Sequence, residues 1–271
     1  MSDQTAQTRV AKAQEAAADS AATMVPVRIA GIDAVLTKKT VAPSRSAPKW
    51  EIDARDRVRS AIRRYAKPLA TLIARDANEA ETRLLVTDFL CEGLGYDKYE
   101  DLTMEYQVKG EFADYGVRID KQLVAFIEVK RCNQKLDLRH LRQVQMYAVN
   151  EGVEWMILTN GQAWQVYHLT GGLPVVVDLA LEVDLLGEDP RSAKADALFY
   201  LSRNALKKRL IHEVWKSRAA TSPKALAQAL LSEGVLEAIR KEVRRQTSHN
   251  AEPKDLARIL REEVLRPEAL A

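Results

Sequence analysis

Two apolar stretches, GEFADYGVRI (110–119) and QLVAFIEVK (122–130), stand on either side of Asp120-Lys121, and this spacing constrains the fold more than any other feature. A two-residue gap between strand-like runs predicts a tight hairpin, although Lys121 suits the second turn position less well than glycine. A second pair of alternating runs, within residues 154–169, surrounds Asn160-Gly161, the strongest hairpin signal in the chain. Helical patterns precede each hairpin. Residues 78–93 carry Leu84, Val86, Phe89 and Leu90 as an apolar stripe with Gly93 as its stop, and residues 136–152 place Leu138, Leu141, Val144 and Ala148 inward with Gly152 as the cap. The order helix, hairpin, helix, hairpin predicts an α/β fold, a mixed sheet with helices on its faces.

The flanks are different in character. Residues 1–48 are rich in Ala, Thr, Ser and Gln and read as a disordered arm, with one apolar patch at 25–35 able to dock as a strand or bind a partner. A helix should follow from residue 52, with Val58, Ile62 and Tyr65 on one face and Pro68 kinking or ending it. Beyond about residue 181 the patterns are helical, over 192–218, 223–232, 234–247 and 252–265. The division expected is therefore an arm (1–48), an α/β core (49–180) and an all-helical C-terminal module (181–271). Cys91 and Cys132 form no CxxC pair and the four histidines are scattered, a pattern that argues against a disulfide scaffold or a structural zinc site. With no apolar run of membrane-spanning length and no signal-peptide core, the expected location is the cytoplasm.

The stretch with chemical content is 113–130. Residues two apart in a strand share a side, so Glu128 and Lys130 project together, and the hairpin can bring Asp114 to the same end of the sheet. Close carboxylates repel, and a hard divalent cation relieves the repulsion; Mg²⁺, with Mn²⁺ as a substitute, suits one or two carboxylates plus substrate phosphate. Lys130 would then position a water or stabilise charge growing on phosphate oxygens. An ExK tripeptide is common by chance, however, and an acid and a base ending an apolar strand are either a site or an exposed ion pair. Nearby Arg131, Lys135, Arg139 and Arg142 would suit phosphate contacts, or form an ordinary solvated face. Trp155 and Trp164, facing across the second hairpin, read as packing residues rather than a base-stacking platform.

The ordered set NEAETR, LGYD, ADYGV, IEVKR, QVQMYA and WMILTNGQAWQVY, within residues 78–168, resembles the N-terminal nuclease domain of type I restriction enzyme R subunits, in the PD-(D/E)XK nuclease superfamily. The resemblance implies a restriction-endonuclease-like sheet in which Asp114 and Glu128 bind metal and Lys130 is the catalytic lysine. It further implies that Glu79 is the helix glutamate acting near the metal, with Glu81 an alternative, and that Gln143 and Tyr147 form a QxxxY element that touches DNA or supports the site. Spacing alone makes Gln143 and Tyr147 a helix surface pair. R subunits join this nuclease to an ATP-driven translocase, but no GxxxxGK[ST] phosphate loop occurs here, so a motor of that type is not expected in this sequence.

The function expected is a Mg²⁺-dependent endodeoxyribonuclease of a prokaryotic restriction or phage-defence system, with DNA and other restriction subunits as partners. The alternative is a non-cleaving subunit or regulator that keeps the nuclease fold and binds DNA or protein. The net charge of +3 conceals a partition: 14 basic and 8 acidic residues in 1–76, 10 and 16 in 77–180, 17 and 14 in 181–271. The segment proposed to bind metal is acidic and its flanks are basic, a distribution compatible with a nucleic-acid substrate. Residues 201–250 alone carry eleven Lys and Arg against four Glu, in helices that could bind DNA, dock a partner or simply face solvent.

Overall fold

A computed structural model describes residues 47–171 and 175–270. The expected arm lies outside them except for its last two residues, and the 25–35 patch lies outside them altogether. Helix α1 (Lys49–Ala74) and helix α2 (Glu79–Asp88), which ends in a π turn at Phe89–Gly93, precede a six-stranded sheet. Its strands are β1 (Leu102–Val108), β2 (Glu111–Ile119), β3 (Gln122–Val129), β4 (Trp155–Thr159), β5 (Ala163–Thr170) and β6 (Val176–Asp184), paired in sequence order. Every pairing is antiparallel except β3 with β4. That one parallel pair requires a crossover, supplied by α3 (Leu138–Glu151). The expected mixed sheet with flanking helices and a helical C-terminal region is what the chain forms.

The two faces of the sheet bury separate cores. Tyr115, Val117, Ile127, Ile157, Trp164 and Val166 pack with Val58, Ile62, Val86, Phe89 and Leu90 of α1 and α2. On the opposite face Phe126, Met156, Leu158 and Tyr167 pack with Leu141, Val144, Tyr147 and Ala148 of α3. Strand alternation explains the split, since Ile127 and Ile157 point one way and Phe126, Met156 and Leu158 the other. Both tryptophans are core residues, Trp164 lying tilted against Phe89 at 5.3 Å, but their registers are Trp155 with His168 and Trp164 with Thr159, not with each other.

Several details differ from the sequence reading. Pro68 neither ends nor divides α1, which continues to Ala74, because Pro68 lies on the exposed side while Leu69 is fully buried and Leu72 and Ile73 pack on the core. Leu84 is exposed and Leu85 takes its place in the stripe. In the second hairpin the Asn160 amide donates to the Ala163 carbonyl, so the central turn residues are Gly161 and Gln162, with Gly161 at φ +83°. Strand β1 and strand β6 have no counterpart in the sequence reading, and β6 carries the sheet past residue 180.

After β6 come α4 (Arg191–Leu198), a 3-10 turn at Phe199–Leu201, α5 (Arg203–Lys207), α6 (Leu210–Ala220), α7 (Pro223–Leu230), α8 (Glu233–Thr247), α9 (Pro253–Ile259) with a π turn at Leu260–Val264, and α10 (Pro267–Leu270). Ala195, Leu198, Leu201 and Ile211 belong to the same hydrophobic cluster as Trp164, so the first of these helices are part of the α1–α2 side of the core. The buried Arg55 of α1 binds Asp196 of α4 at 2.9 Å and Glu51 at 2.8 Å, satisfying a charge that packing removes from water. No helix among the described residues is long and apolar enough to cross a membrane.

The first hairpin turns at Asp120-Lys121 as the spacing requires, with Ile119 opposite Gln122 and both turn residues at positive φ, +51° and +70°. A side chain in this left-handed region costs about 1–2 kcal/mol, against roughly 0.5–1 kcal/mol for glycine's extra unfolded-state freedom. Lys121→Gly should therefore raise stability by about 0.5–1 kcal/mol, read as a higher urea midpoint at unchanged slope.

Candidate active site

The site forms at the end of the sheet where β2 and β3 meet the start of the crossover. In register, Tyr115 opposes Ile127, so one step further Asp114 opposes Glu128. Face alternation fails at Asp114, since Tyr115 lies in the α1–α2 core and Ala113 in the α3 core. Its neighbour across the β1 pairing, Glu105, has φ +50°. Asp114 consequently reaches in two directions, with Oδ1 accepting from the Arg83 guanidinium at 2.9 Å and Oδ2 from the Val129 amide at 2.7 Å.

Lys130 is fixed by its own backbone, whose amide donates to Thr159 at 2.7 Å and extends the parallel pairing by one residue. Its Nζ donates to Glu128 Oε1 at 2.6 Å and to Gln143 Oε1 at 3.5 Å. Gln143 Nε2 in turn donates to the Tyr147 hydroxyl at 2.9 Å, and that hydroxyl donates to the Phe112 carbonyl at 3.1 Å. Asp114, Glu128, Lys130, Gln143 and Tyr147 thus belong to one neighbourhood. Tyr147 is buried, and its hydroxyl, bonded to Gln143 on one side and Phe112 on the other, is placed to support Gln143.

Helix α2 is bolted to this end of the sheet by polar contacts. Thr82 Oγ1 accepts from the Cys132 amide at 3.1 Å, and Thr87 shares a hydrogen bond with the Tyr115 hydroxyl at 2.8 Å. The two helix glutamates differ in what they act on. Glu81 completes a capping box with Asn78 and pairs with Arg75 at 2.6 Å, whereas the charge of Glu79 acts on Lys130. Arg83 was not singled out in the sequence, yet it holds one oxygen of Asp114 and also approaches Glu105 at 3.8 Å. Its position four residues after Glu79, on the same helix face, was the available signal.

Asp114, Glu128 and Lys130 are 9%, 3% and 9% exposed, which excludes the exposed ion-pair reading. Burial, reinforced by the Asp114 charge and only partly offset by Lys130, pushes the Glu128 carboxyl up to about 7. Burial also raises Asp114, against the Val129 amide and Arg83. Burial pulls Lys130 down, but its bond to Glu128 and the charges of Glu128, Glu79 and Asp114 outweigh it, so the lysine sits above its ordinary value and remains an ammonium. Glu128 Oε2 is buried without a hydrogen-bond partner. A carboxylate oxygen in that condition, beside a second carboxylate, is suited to a hard cation. Arg131, Lys135, Arg139 and Arg142 are all exposed, although Arg131 lies 3.5 Å from Asp76 and Arg139 pairs with Asp137 at 2.9 Å.

The sheet of this α/β domain thus ends in two buried carboxylates and a buried lysine, framed by α2 and α3. Residues 78–173, a little over a third of the chain, match the family model for the type I restriction enzyme R protein N terminus. That stretch runs from the cap of α2 past β5 and contains Glu79, Arg83, Asp114, Glu128, Lys130, Gln143 and Tyr147, so the part of the chain that holds the site is similar to the N-terminal, nuclease-related domain of restriction R proteins. No curated protein and no solved structure matches the chain.

Two measurements follow. Between the ordinary glutamate value of 4.5 and about 7, folded metal-free protein holds a proton on Glu128 that the unfolded chain has released, so this group's contribution to stability declines as pH rises through that window. The melting temperature of wild type relative to Glu128→Gln should therefore fall from pH 5 to pH 8 in chelator-treated protein; a pH-independent difference would contradict the raised carboxyl. Glu81→Ala should cost about 0.5 kcal/mol through loss of the reciprocal half of the capping box and of the Arg75 pair, the Asn78 cap itself being kept, while Glu79→Ala should leave the denaturation midpoint unchanged.

Proposed function

We propose that this chain is a metal-dependent DNA endonuclease of the PD-(D/E)XK type, working in a prokaryotic restriction or phage-defence system, in the cytoplasm, without a motor of its own. The observation that carries this reading is the buried, unpartnered Glu128 Oε2 beside Asp114, within the stretch similar to restriction R proteins. Asp114 and Glu128 fit Mg²⁺, or Mn²⁺ in its place: two oxygen-donating groups whose mutual repulsion a dication removes. Such an ion supplies positive charge where negative charge develops on the phosphoryl oxygens.

The residues of the chain divide the remaining work. Lys130, held as an ammonium, directs a positive N–H toward the attacking water or the scissile phosphate and stabilises the charge that grows there. Gln143 restrains Lys130 Nζ, Tyr147 restrains Gln143, and Glu79 adds negative charge that keeps the lysine protonated. Arg131, Lys135, Arg139 and Arg142 contact backbone phosphates, giving register without reading sequence. Other restriction subunits are the partners this reading implies.

One observation favours the second reading, a non-cleaving subunit: Arg83 already neutralises one oxygen of Asp114. Calorimetry with Mg²⁺ and Mn²⁺ separates the two, since the nuclease reading requires binding that Asp114→Ala and Glu128→Ala abolish. On supercoiled plasmid with Mg²⁺ the wild-type protein should nick or cut, and Asp114→Ala and Lys130→Ala should each lower the rate by about a hundredfold or more. Cleavage that survives both substitutions would sink the assignment.

A further inference from the structure

A second cluster of metal-type ligands lies outside the site just described, where the edge of the β4–β5 pair meets α6. Glu154, just before β4, His168 of β5 and His212 of α6 place one ligand atom each within 4.8 Å of one another. Two of the four histidines that appear scattered in the sequence are brought together here by the Trp155–His168 register and by the packing of α6. Their rings are held by aromatic neighbours: Trp155 lies edge-on to His168 and His212 at 4.7 and 5.1 Å, and Trp215 stacks on His168 at 3.7 Å.

The hydrogen-bonding pattern at His212 is frustrated in a way that a cation would relieve. Its Nε2 is 2.8 Å from Arg209 NH2 and 3.1 Å from Glu154 Oε2. Arginine only donates and a carboxylate only accepts, so Nε2 cannot satisfy both. If the ring is neutral with Nε2 as acceptor, two lone pairs face each other at 3.1 Å. A proton on Nε2 would instead confront the guanidinium. Arg209, within 3.5 Å of Glu154, is the positive charge that stands at this junction, and its side chain is 69% exposed and free to leave it. The Nδ1 of His212 is buried without a partner, whereas Nδ1 of His168 lies 3.3 Å from Thr170 Oγ1, an arrangement that leaves His168 Nε2 available.

We propose that Glu154, His168 and His212 bind a transition-metal dication of the Zn²⁺ class, displacing Arg209, and that the ion pins α6 to the sheet. Two imidazoles and a carboxylate are a fitting set for zinc, whose tetrahedral ligand atoms at ~2.0–2.1 Å stand roughly 3.3 Å apart. Glu154 is 54% exposed, so ions have access to the cluster from solvent. The cluster contains no residue of the Asp114–Glu128 site, and this proposal stands or falls independently of the nuclease reading.

The test is titration of chelator-treated full-length protein with Zn²⁺ by calorimetry and with Co²⁺ by visible absorption, in an Asp114→Ala background that removes competition from the first site. One equivalent should bind, with a tetrahedral Co²⁺ spectrum and a higher melting temperature. Binding should weaken at least tenfold in His168→Ala and His212→Ala. Glu154→Gln, at an exposed position that leaves the core untouched, should weaken it as well, and Arg209→Ala should tighten it severalfold. Absence of saturable Zn²⁺ binding at micromolar concentration, or unchanged binding in Glu154→Gln with a native circular dichroism spectrum, would overturn the proposal, as would weaker binding in Arg209→Ala.

Discussion

The parallel pairing of β3 with β4 is the constraint on which the rest of the described structure depends. Antiparallel neighbours can be joined by two residues, but a parallel neighbour requires the chain to travel back along the sheet before re-entering it. Residues 130–154 make that journey, and α3 is its return leg, buried through Leu141, Val144, Tyr147 and Ala148. The crossover must leave the sheet at the C-terminal end of β3, and Lys130 is the first residue to do so. Its backbone is still paired with Thr159 while its side chain meets Gln143 on the outgoing helix. The topology therefore brings a residue from the strand end and one from the crossover helix to the same spot, with no need for a long loop to carry either.

That location also sets the electrostatics. Open sheets with crossovers gather functional groups outside the carboxyl ends of their parallel strands, where backbone groups lack ladder partners. Here the Val129 amide is used by Asp114 instead of by another strand. Burying two carboxylates at this end is unfavourable by itself, and the chain offsets it unequally: Asp114 has an arginine and a well-formed bond from a backbone amide, while Glu128 has one lysine on one oxygen, a weak contribution from the Asp114 amide, and no hydrogen bond on Oε2. The asymmetry explains why Glu128 is the more strongly perturbed of the two. A purely structural ion pair would be expected to satisfy both oxygens, since an unpartnered buried carboxylate oxygen costs more than the pair returns.

Much of this was legible in the sequence because it rested on local rules. Val58, Ile62 and Tyr65 declared a helix face, Asp120-Lys121 a hairpin, and Gly152 a left-handed helix cap, which it is at φ +67°. The Glu128 and Lys130 juxtaposition followed from strand periodicity. What could not be read depended on tertiary context. Strand β1, LTMEYQV, is an edge strand buried only at its two ends, Leu102 and Val108, so it offered no apolar alternation to detect. Pro68 continues a helix because its ring faces solvent and the helix is held by Leu69 on the other side. Arg83 was passed over because an arginine on an amphipathic helix is ordinary until the fold places Asp114 against it.

The two clusters share a physical logic that sequence alone could not expose. In each, carboxylate or imidazole acceptors converge from separate elements, and in each an arginine occupies part of the space: Arg83 at Asp114, Arg209 at Glu154 and His212. A guanidinium neutralises such a cluster but spreads its charge over a plane, so it satisfies some acceptors and leaves others unpartnered, as at Glu128 Oε2 and in the opposed demands on His212 Nε2. A compact dication concentrates its charge and can be approached from several directions at once. The difference between the two clusters lies in their donors: two carboxylates favour a hard cation that keeps water and phosphate as ligands, while two imidazoles and one carboxylate favour zinc. The first arrangement suits an ion that must exchange substrate, and the second suits one that remains in place and holds a helix against the sheet.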